Sequence, residues 1–254
     1  MKRWALVILL SGWTWGQPVQ VDAREAQAAG LRVWQNECSG TVEGLTSWNY
    51  GEEFPSLGIG HFIWYPEGRS GPFQESFPKL IAFLRERHTD VPKWIPAACP
   101  WPDRTRFLAD LNGPRLKELR RYLAARVGDQ TQFMVLRLQE ALPKMLELSR
   151  HPEQVKERFY TLLKTPGGTY ALLDYVNFKG EGIKSTERYA GQGWGLLQVL
   201  EECDSKVFAR TPLSAFSQSA DLVLRRRVRN SPPGRGEARW LNGWMNRVHG
   251  YSSP

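Results

Sequence analysis

From residue 103 to residue 249 apolar side chains recur at helical spacing almost without a break, and Pro114, Pro152 and Pro212 fall where helices begin. Segments 103–111, 114–127, 129–149, 152–164, 168–178, 193–203, 211–229 and 236–249 each read as helix. Pro114 sits in a first turn, and Thr211 caps a helix that Pro212 opens. Pro143 lies inside 129–149 and is expected to bend or break it. The glycine-rich stretches 166–168 and 180–195 are the expected non-helical connectors. A chain of 254 residues with this pattern has room for a sizeable core and no need of a second domain.

The amino-terminal part differs. Residues 23–38 are helix-like, with Ala26, Ala29, Gly30, Val33, Trp34 and Glu37 on one face. The stretch that follows is rich in Gly, Ser, Thr and aromatics. It reads as a β-hairpin with one strand near 44–49, a turn at 50–55 and a second strand near 56–65. A loop at 66–76, a helix from Pro78 to about His88 and a proline-rich loop at 89–102 complete it. The expected architecture is mainly α (α+β): one helical domain over 24–254 with a small β-hairpin near its start.

Lys2 and Arg3 precede an apolar run from Trp4 to Leu10, followed by small or neutral residues. Residues 1–23 therefore read as a signal peptide, cleaved after 16 or after 23, and the protein is expected to be periplasmic or secreted. The apolar run is too short to cross a bilayer, so no stable membrane span is expected after cleavage. With 34 Lys+Arg against 26 Asp+Glu the formal charge is +8, and losing Lys2 and Arg3 leaves the mature chain basic. A basic surface favours an anionic partner: nucleic acid, anionic lipid or a wall polymer. There is no nucleic-acid-binding motif, phosphate-binding loop, nucleophile elbow or paired Cys-x-x-Cys, so no specific nucleic-acid partner is expected. In an oxidising compartment Cys38, Cys99 and Cys203 permit at most one internal disulfide, of open pairing. His61, His88, His151 and His249 show no metal-ligand spacing with them, so neither metal nor cofactor is expected.

A glutamate ending the first helix, followed by a strand Ser56-Leu57-Gly58-Ile59-Gly60-His61, resembles the lysozyme-like superfamily. Phage-type lysozymes carry a Glu-Gly-Leu step and then Thr-Ile-Gly-Ile-Gly-His; here Glu43-Gly44-Leu45 precedes the strand, with Ser56 in the threonine place. Glu37-Cys38-Ser39-Gly40 is similar to the Glu-Ser-x-Gly step of lytic transglycosylases. The resemblance implies glycosidic-bond cleavage with a glutamate as general acid, in a setting whose burial disfavours the charged form. Both Glu37 and Glu43 qualify. Glu37 is preferred, because Ser39-Gly40-Thr41 should end the helix before Glu43. Phage-type lysozymes place an aspartate in the hairpin, where this chain has Glu52 and Glu53. Ser56 with Glu53 or Glu181 is then expected to position water or stabilise the oxocarbenium-like state. Trp48, Gly58, Gly60 and His61 are the expected sugar contacts from this half.

Residues Gly191 to Gln198 are similar to the Gly-x-Gly-Phe-Gly-Leu-Met-Gln element of goose-type lysozymes, with Glu181 upstream. The resemblance implies that the second half folds back to wall the cleft opposite the hairpin, so that Glu181, Tyr189 and Gln198 face substrate. The closing segment resembles the last helix of phage-type lysozymes, where Arg239, Trp240 and Trp244 are expected to pack. Arg225 to Arg229 read as a solvated basic helix end. The expected activity is that of an exported glycosidase acting on peptidoglycan, either muramidase or lytic transglycosylase. Two alternatives stand beside it. One is a non-catalytic wall-binding protein on the same scaffold; the other is a chitosanase-like hydrolase, whose polycationic substrate a basic protein would repel.

Overall fold

Helix α1 (Ala23–Cys38) begins where the Asp22 side chain accepts the N–H groups of Arg24 and Glu25, two of the donors a helix start leaves unpaired. In the computed structural model, which describes residues 20–71 and 73–252, α1 stops at Cys38. Ser39 and Gly40 turn left-handed (φ 55° and 64°), and the Gly40 N–H returns to the Trp34 carbonyl. Helix formation therefore ends before Glu43, as the Ser-Gly-Thr step predicts. The expected leader 1–16 lies outside the described residues.

A 3₁₀ turn (Glu43–Leu45) leads into a three-stranded antiparallel meander: β1 (Thr46–Ser47), β2 (Ser56–Leu57) and β3 (Phe62–Ile63). Leu57 pairs with Thr46 on one side and Phe62 on the other. The stretch expected as one strand over 56–65 is thus two strands. Gly58 (φ 69°) and His61 (φ 48°) reverse the chain between them. A β-carbon on Gly58 would stand 2.3 Å from Gln130 Oε1, the atom that accepts the Ile59 N–H.

Then come α2 (Phe77–Arg85), α3 (Arg104–Ala109), α4 (Pro114–Ala124), α5 (Val127–Leu148), α6 (Pro152–Lys164) and α7 (Gly168–Lys179). After a two-stranded hairpin, β4 (Arg188–Tyr189) and β5 (Gln192–Gly193), follow α8 (Leu196–Glu202), α9 (Ser205–Arg210), α10 (Pro212–Asn230) and α11 (Leu241–His249). Prolines occupy the first turns of α2, α4, α6 and α10. Pro143 does not break α5, because buried Leu142 and Met145 anchor the helix on both sides of it. The short α9 escapes a periodicity reading; it rests on an Asp204 cap and one buried ring, Phe208. The expected helix 236–249 divides into a 3₁₀ turn (Glu237–Trp240) and α11.

One continuous core runs from Phe62, Trp64 and Phe77 through Val135 and Leu138 of α5 to Phe159, Phe216 and Val248. Each fully buried large side chain contributes about 1.5–3 kcal/mol. Helix α1 approaches α5 closely at Gly30, where a β-carbon would lie 2.3 Å from Thr131 Oγ1. Cys38, Cys99 and Cys203 are all buried free thiols, so the disulfide that the expected compartment permits is not formed. Burial pushes the Cys38 and Cys99 thiols up to about 12. No described helix is long and apolar enough to cross a membrane.

Candidate active-site cleft

Glu37 occupies the last turn of α1, where an ion-pair network fixes it. Asp174 of α7 is fully buried and accepts four hydrogen bonds. Arg247 Nε (2.8 Å), Arg247 Nη2 (2.8 Å), Asn36 Nδ2 (2.9 Å) and the Tyr251 hydroxyl (2.7 Å) donate to it. Arg247 Nη2 also donates to Glu37 Oε1 at 2.6 Å. The other oxygen, Oε2, lies 3.9 Å from His61 Nδ1, while His61 Nε2 stands 3.7 Å from Cys38 Sγ. Arg247 is therefore charge-matched by Asp174. What reaches Glu37 is the edge of a nearly neutral pair, which orients one oxygen without leaving a lone cation beside it. These hydrogen bonds raise Arg247 above its ordinary range, and burial with the Asp174 charge raises the Tyr251 hydroxyl.

Asn36, Asp174 and Arg247 were absent from the candidates read in sequence. One signal was available: Asp174 is a lone carboxylate in the apolar run Tyr170–Tyr175, and a buried charge requires a partner. Nothing local names that partner, which lies 73 residues away.

A cleft of about 610 Å³ opens beside this network, bounded by β3, α2, α5, α7 and the turn after α7. Gly60 and Phe62 line it from the hairpin side, Met134 and Arg137 from α5, Asn177 from α7, and Glu181 from the turn. The structure thus brings the Ser56–His61 segment and the Glu181 segment to one cavity. Burial pushes the Glu181 carboxyl up, with Arg137 and Lys184 pulling the other way.

The segment from Gly191 to Gln198 holds Glu181 in place. Leu196 N–H donates to the Gly180 carbonyl and Leu197 N–H to the Glu181 carbonyl, both at 3.0 Å. The two backbones run so close that a β-carbon on Gly195 would lie 2.1 Å from Gly182 N. Buried Gln198 accepts the Gly195 N–H and donates to the Gly182 carbonyl. Its amide is committed to this crossing and is not among the groups lining the cleft. Tyr189 is likewise engaged elsewhere: its hydroxyl donates to Glu237 at 2.8 Å and its ring packs on Trp194 with centroids 4.5 Å apart.

The remaining candidates scatter. Glu43 is exposed in the 3₁₀ turn and its charge acts on Arg120 of α4. Glu53 is exposed and pairs with Arg69 at 2.5 Å. Trp48 is buried against Phe107 and donates to the Glu52 carbonyl, and Ser56 is buried in the middle strand. In the basic run, Arg225, Arg226 and Arg227 pair with Asp221, Glu202 and Glu237, so most of that charge is compensated within the fold. Trp240, expected to pack, is instead 52% exposed. Among the described residues no group of three His, Cys, Asp or Glu side chains is gathered as a metal site. No known protein family, curated protein or solved structure matches the chain.

Proposed function

We propose that the protein cleaves glycosidic bonds of peptidoglycan strands, with Glu37 as the proton donor and Glu181 as the second carboxyl group of the cleft. One observation carries this reading. Glu37 has one oxygen clamped by the Arg247–Asp174 pair and the other turned towards His61, whose neighbour Gly60 lines the cleft that Glu181 also lines. A general acid needs this division: one oxygen fixed, the other able to carry a proton to the leaving oxygen. Charge matching by Asp174 lets Arg247 orient Glu37 without acting on it as an unopposed cation. Glu181, raised by burial, lines that cleft and in this reading meets water or the developing oxocarbenium charge. The cavity volume suits a few sugar units, and the packed rings of Phe62, Phe83 and Phe133 make part of its wall apolar. The export-like leader and basic surplus agree with an anionic wall polymer.

A second reading draws on the cleft's own charges. Glu86, Glu140 and Glu181 outnumber Lys79 and Arg137 there, which suits a glycan bearing free amines. Purified sacculi and chitosan separate the two. Wild-type protein is expected to release soluble fragments from sacculi, Glu37→Gln to lose at least about 100-fold of that rate, and Glu43→Gln to keep it. 1,6-Anhydro ends among the products would select transglycosylase over hydrolase. Wild-type protein that releases nothing above buffer, or an active Glu37→Gln variant, overturns the proposal; cleavage of chitosan alone transfers it to the second reading.

A further inference from the structure

Among the described residues the half-buried and buried arginines are, with one exception, tied to acceptors. Arg120 donates to Thr46 Oγ1 and the Leu111 carbonyl, Arg158 to two carbonyls and Ser205, Arg227 to Glu237, and Arg247 to Asp174 and Glu37. Arg137 is the exception. It stands on α5 and lines the cleft, yet among the described residues no hydrogen bond or ion pair holds its guanidinium. Its one close approach is to the face of Phe133, at 6.0 Å from the ring centroid. Glu181 and Glu140 line the same cavity and act on it electrostatically, but neither closes to ion-pair distance. Its half-buried guanidinium thus keeps five N–H donors uncommitted to protein acceptors at the wall of the cleft, where a ligand can take them up without breaking an existing pair.

We propose that Arg137 anchors the substrate by binding a carboxylate carried by the glycan, so that the cleft selects acidic saccharides. The inference rests on the reading of the cleft as a glycan site and adds the chemistry of the substrate. A planar guanidinium matches a carboxylate with two parallel hydrogen bonds, which a sugar hydroxyl does not offer. Lys79, exposed on α2 at the same cleft, adds a second cation for an anionic ligand. Of the opposing charges, Glu86 is paired with Arg87 and Glu140 is exposed and screened by solvent. Glu181 remains opposite Arg137. An acidic saccharide seated between them would offer its carboxylate to Arg137 and its glycosidic or hydroxyl oxygen to Glu181. The two under-partnered charges would then be satisfied by one ligand.

The test is titration calorimetry with full-length protein and three oligosaccharides of equal length. These are a carboxylated muro-oligosaccharide, the same compound with its carboxyl groups reduced to alcohols, and a fully de-N-acetylated, cationic glucosamine oligomer. Wild type is expected to bind the carboxylated compound at least about tenfold tighter than the reduced one. Arg137→Met should bind both alike, at the wild-type affinity for the reduced compound, and Arg137→Lys should restore part of the preference. Because Arg137 holds no hydrogen bond or ion pair in the free protein and only a distant approach to the Phe133 ring, Arg137→Met should melt no lower than wild type. Equal wild-type affinities for the carboxylated and reduced compounds, a preference surviving in Arg137→Met, or tightest binding of the cationic oligomer overturns the anchor alone. Failure of wild type to bind any of the three overturns the glycan reading of the cleft, and the anchor with it.

Discussion

Replacing Asp174 by Asn tests the network that holds Glu37, because it removes a charge while keeping the side chain's size. Asp174 is fully buried and accepts four hydrogen bonds, two of them from Arg247. Breaking a buried ion pair from one side costs roughly 3–5 kcal/mol, because the other charge is left without compensation. Here the low end applies. The Arg247 side chain keeps 24% exposure and retains Glu37, so about 3 kcal/mol is expected. For a chain of this size that corresponds to a fall in Tm of about 6–12 °C. Urea unfolding followed by tryptophan fluorescence reads the free energy directly. The double variant Asp174→Asn/Arg247→Met should recover much of the loss, since it removes the stranded cation as well. Its activity should not return, because Glu37 then has no clamp. A loss below about 1 kcal/mol for Asp174→Asn, or a double variant no more stable than the single one, would refute the claim that Asp174 compensates Arg247.

Three further outcomes follow from local geometry. Gly58→Ala should cost more than about 2 kcal/mol, since a left-handed φ is combined with a clash at Gln130; Gly51→Ala, also left-handed but in open space, should cost about 1 kcal/mol in the same urea assay. Val21 is buried and exchanges hydrogen bonds with Gln132, while Asp22 caps α1, so if a leader is removed, the new terminus found by intact mass is expected before Val21 and not after Ala23. A chain starting at Arg24 should lose about 1–2 kcal/mol against one starting at Gln17, and equal stability would count against a structural role for Val21 and Asp22. Burial and the Arg227 charge push the Lys179 amine down to about 7. The unfolded chain therefore binds the extra proton between about pH 7 and the ordinary lysine value near 10.4, and the charged amine burdens the fold most at and below pH 7. Lys179→Met should raise the urea midpoint at pH 6 by more than it does at pH 10. The faces of Phe178 and Trp244 return only about 1–2 kcal/mol to the cation, so a variant weaker than wild type at pH 6 would show that the rings outweigh burial.

Much of the helical framework was legible from sequence. The bounds of α1 and α6 and the first turns of α4 and α10 fall where periodicity, caps and first-turn prolines put them. The meander was only half legible: a run from 56 to 65 has the composition of one strand, and only the left-handed turn at Gly58 and His61 shows that it is two. Gly58 and Gly60 have the look of openings for sugar, yet Gly58 serves a close approach to Gln130, as Gly195 of the second motif serves the backbone crossing against Gly182.

For the site, the chain's own order already placed Glu37 at the end of its helix, because a helix end depends on hydrogen bonds spanning only a few residues. The same short-range rules put Glu181 in a glycine-rich turn. That the turn at Gly60 and the turn at Glu181 share a cleft, that Asp174 and Arg247 meet 73 residues apart, and that Arg247 reaches Glu37 across 210 residues were settled by packing. Caps and periodicity act along the chain, whereas charge compensation and burial depend on which helices come together. Only the docking of α7 and α11 against α1 creates the buried site where a lone aspartate needs an arginine and the arginine's free edge finds a glutamate.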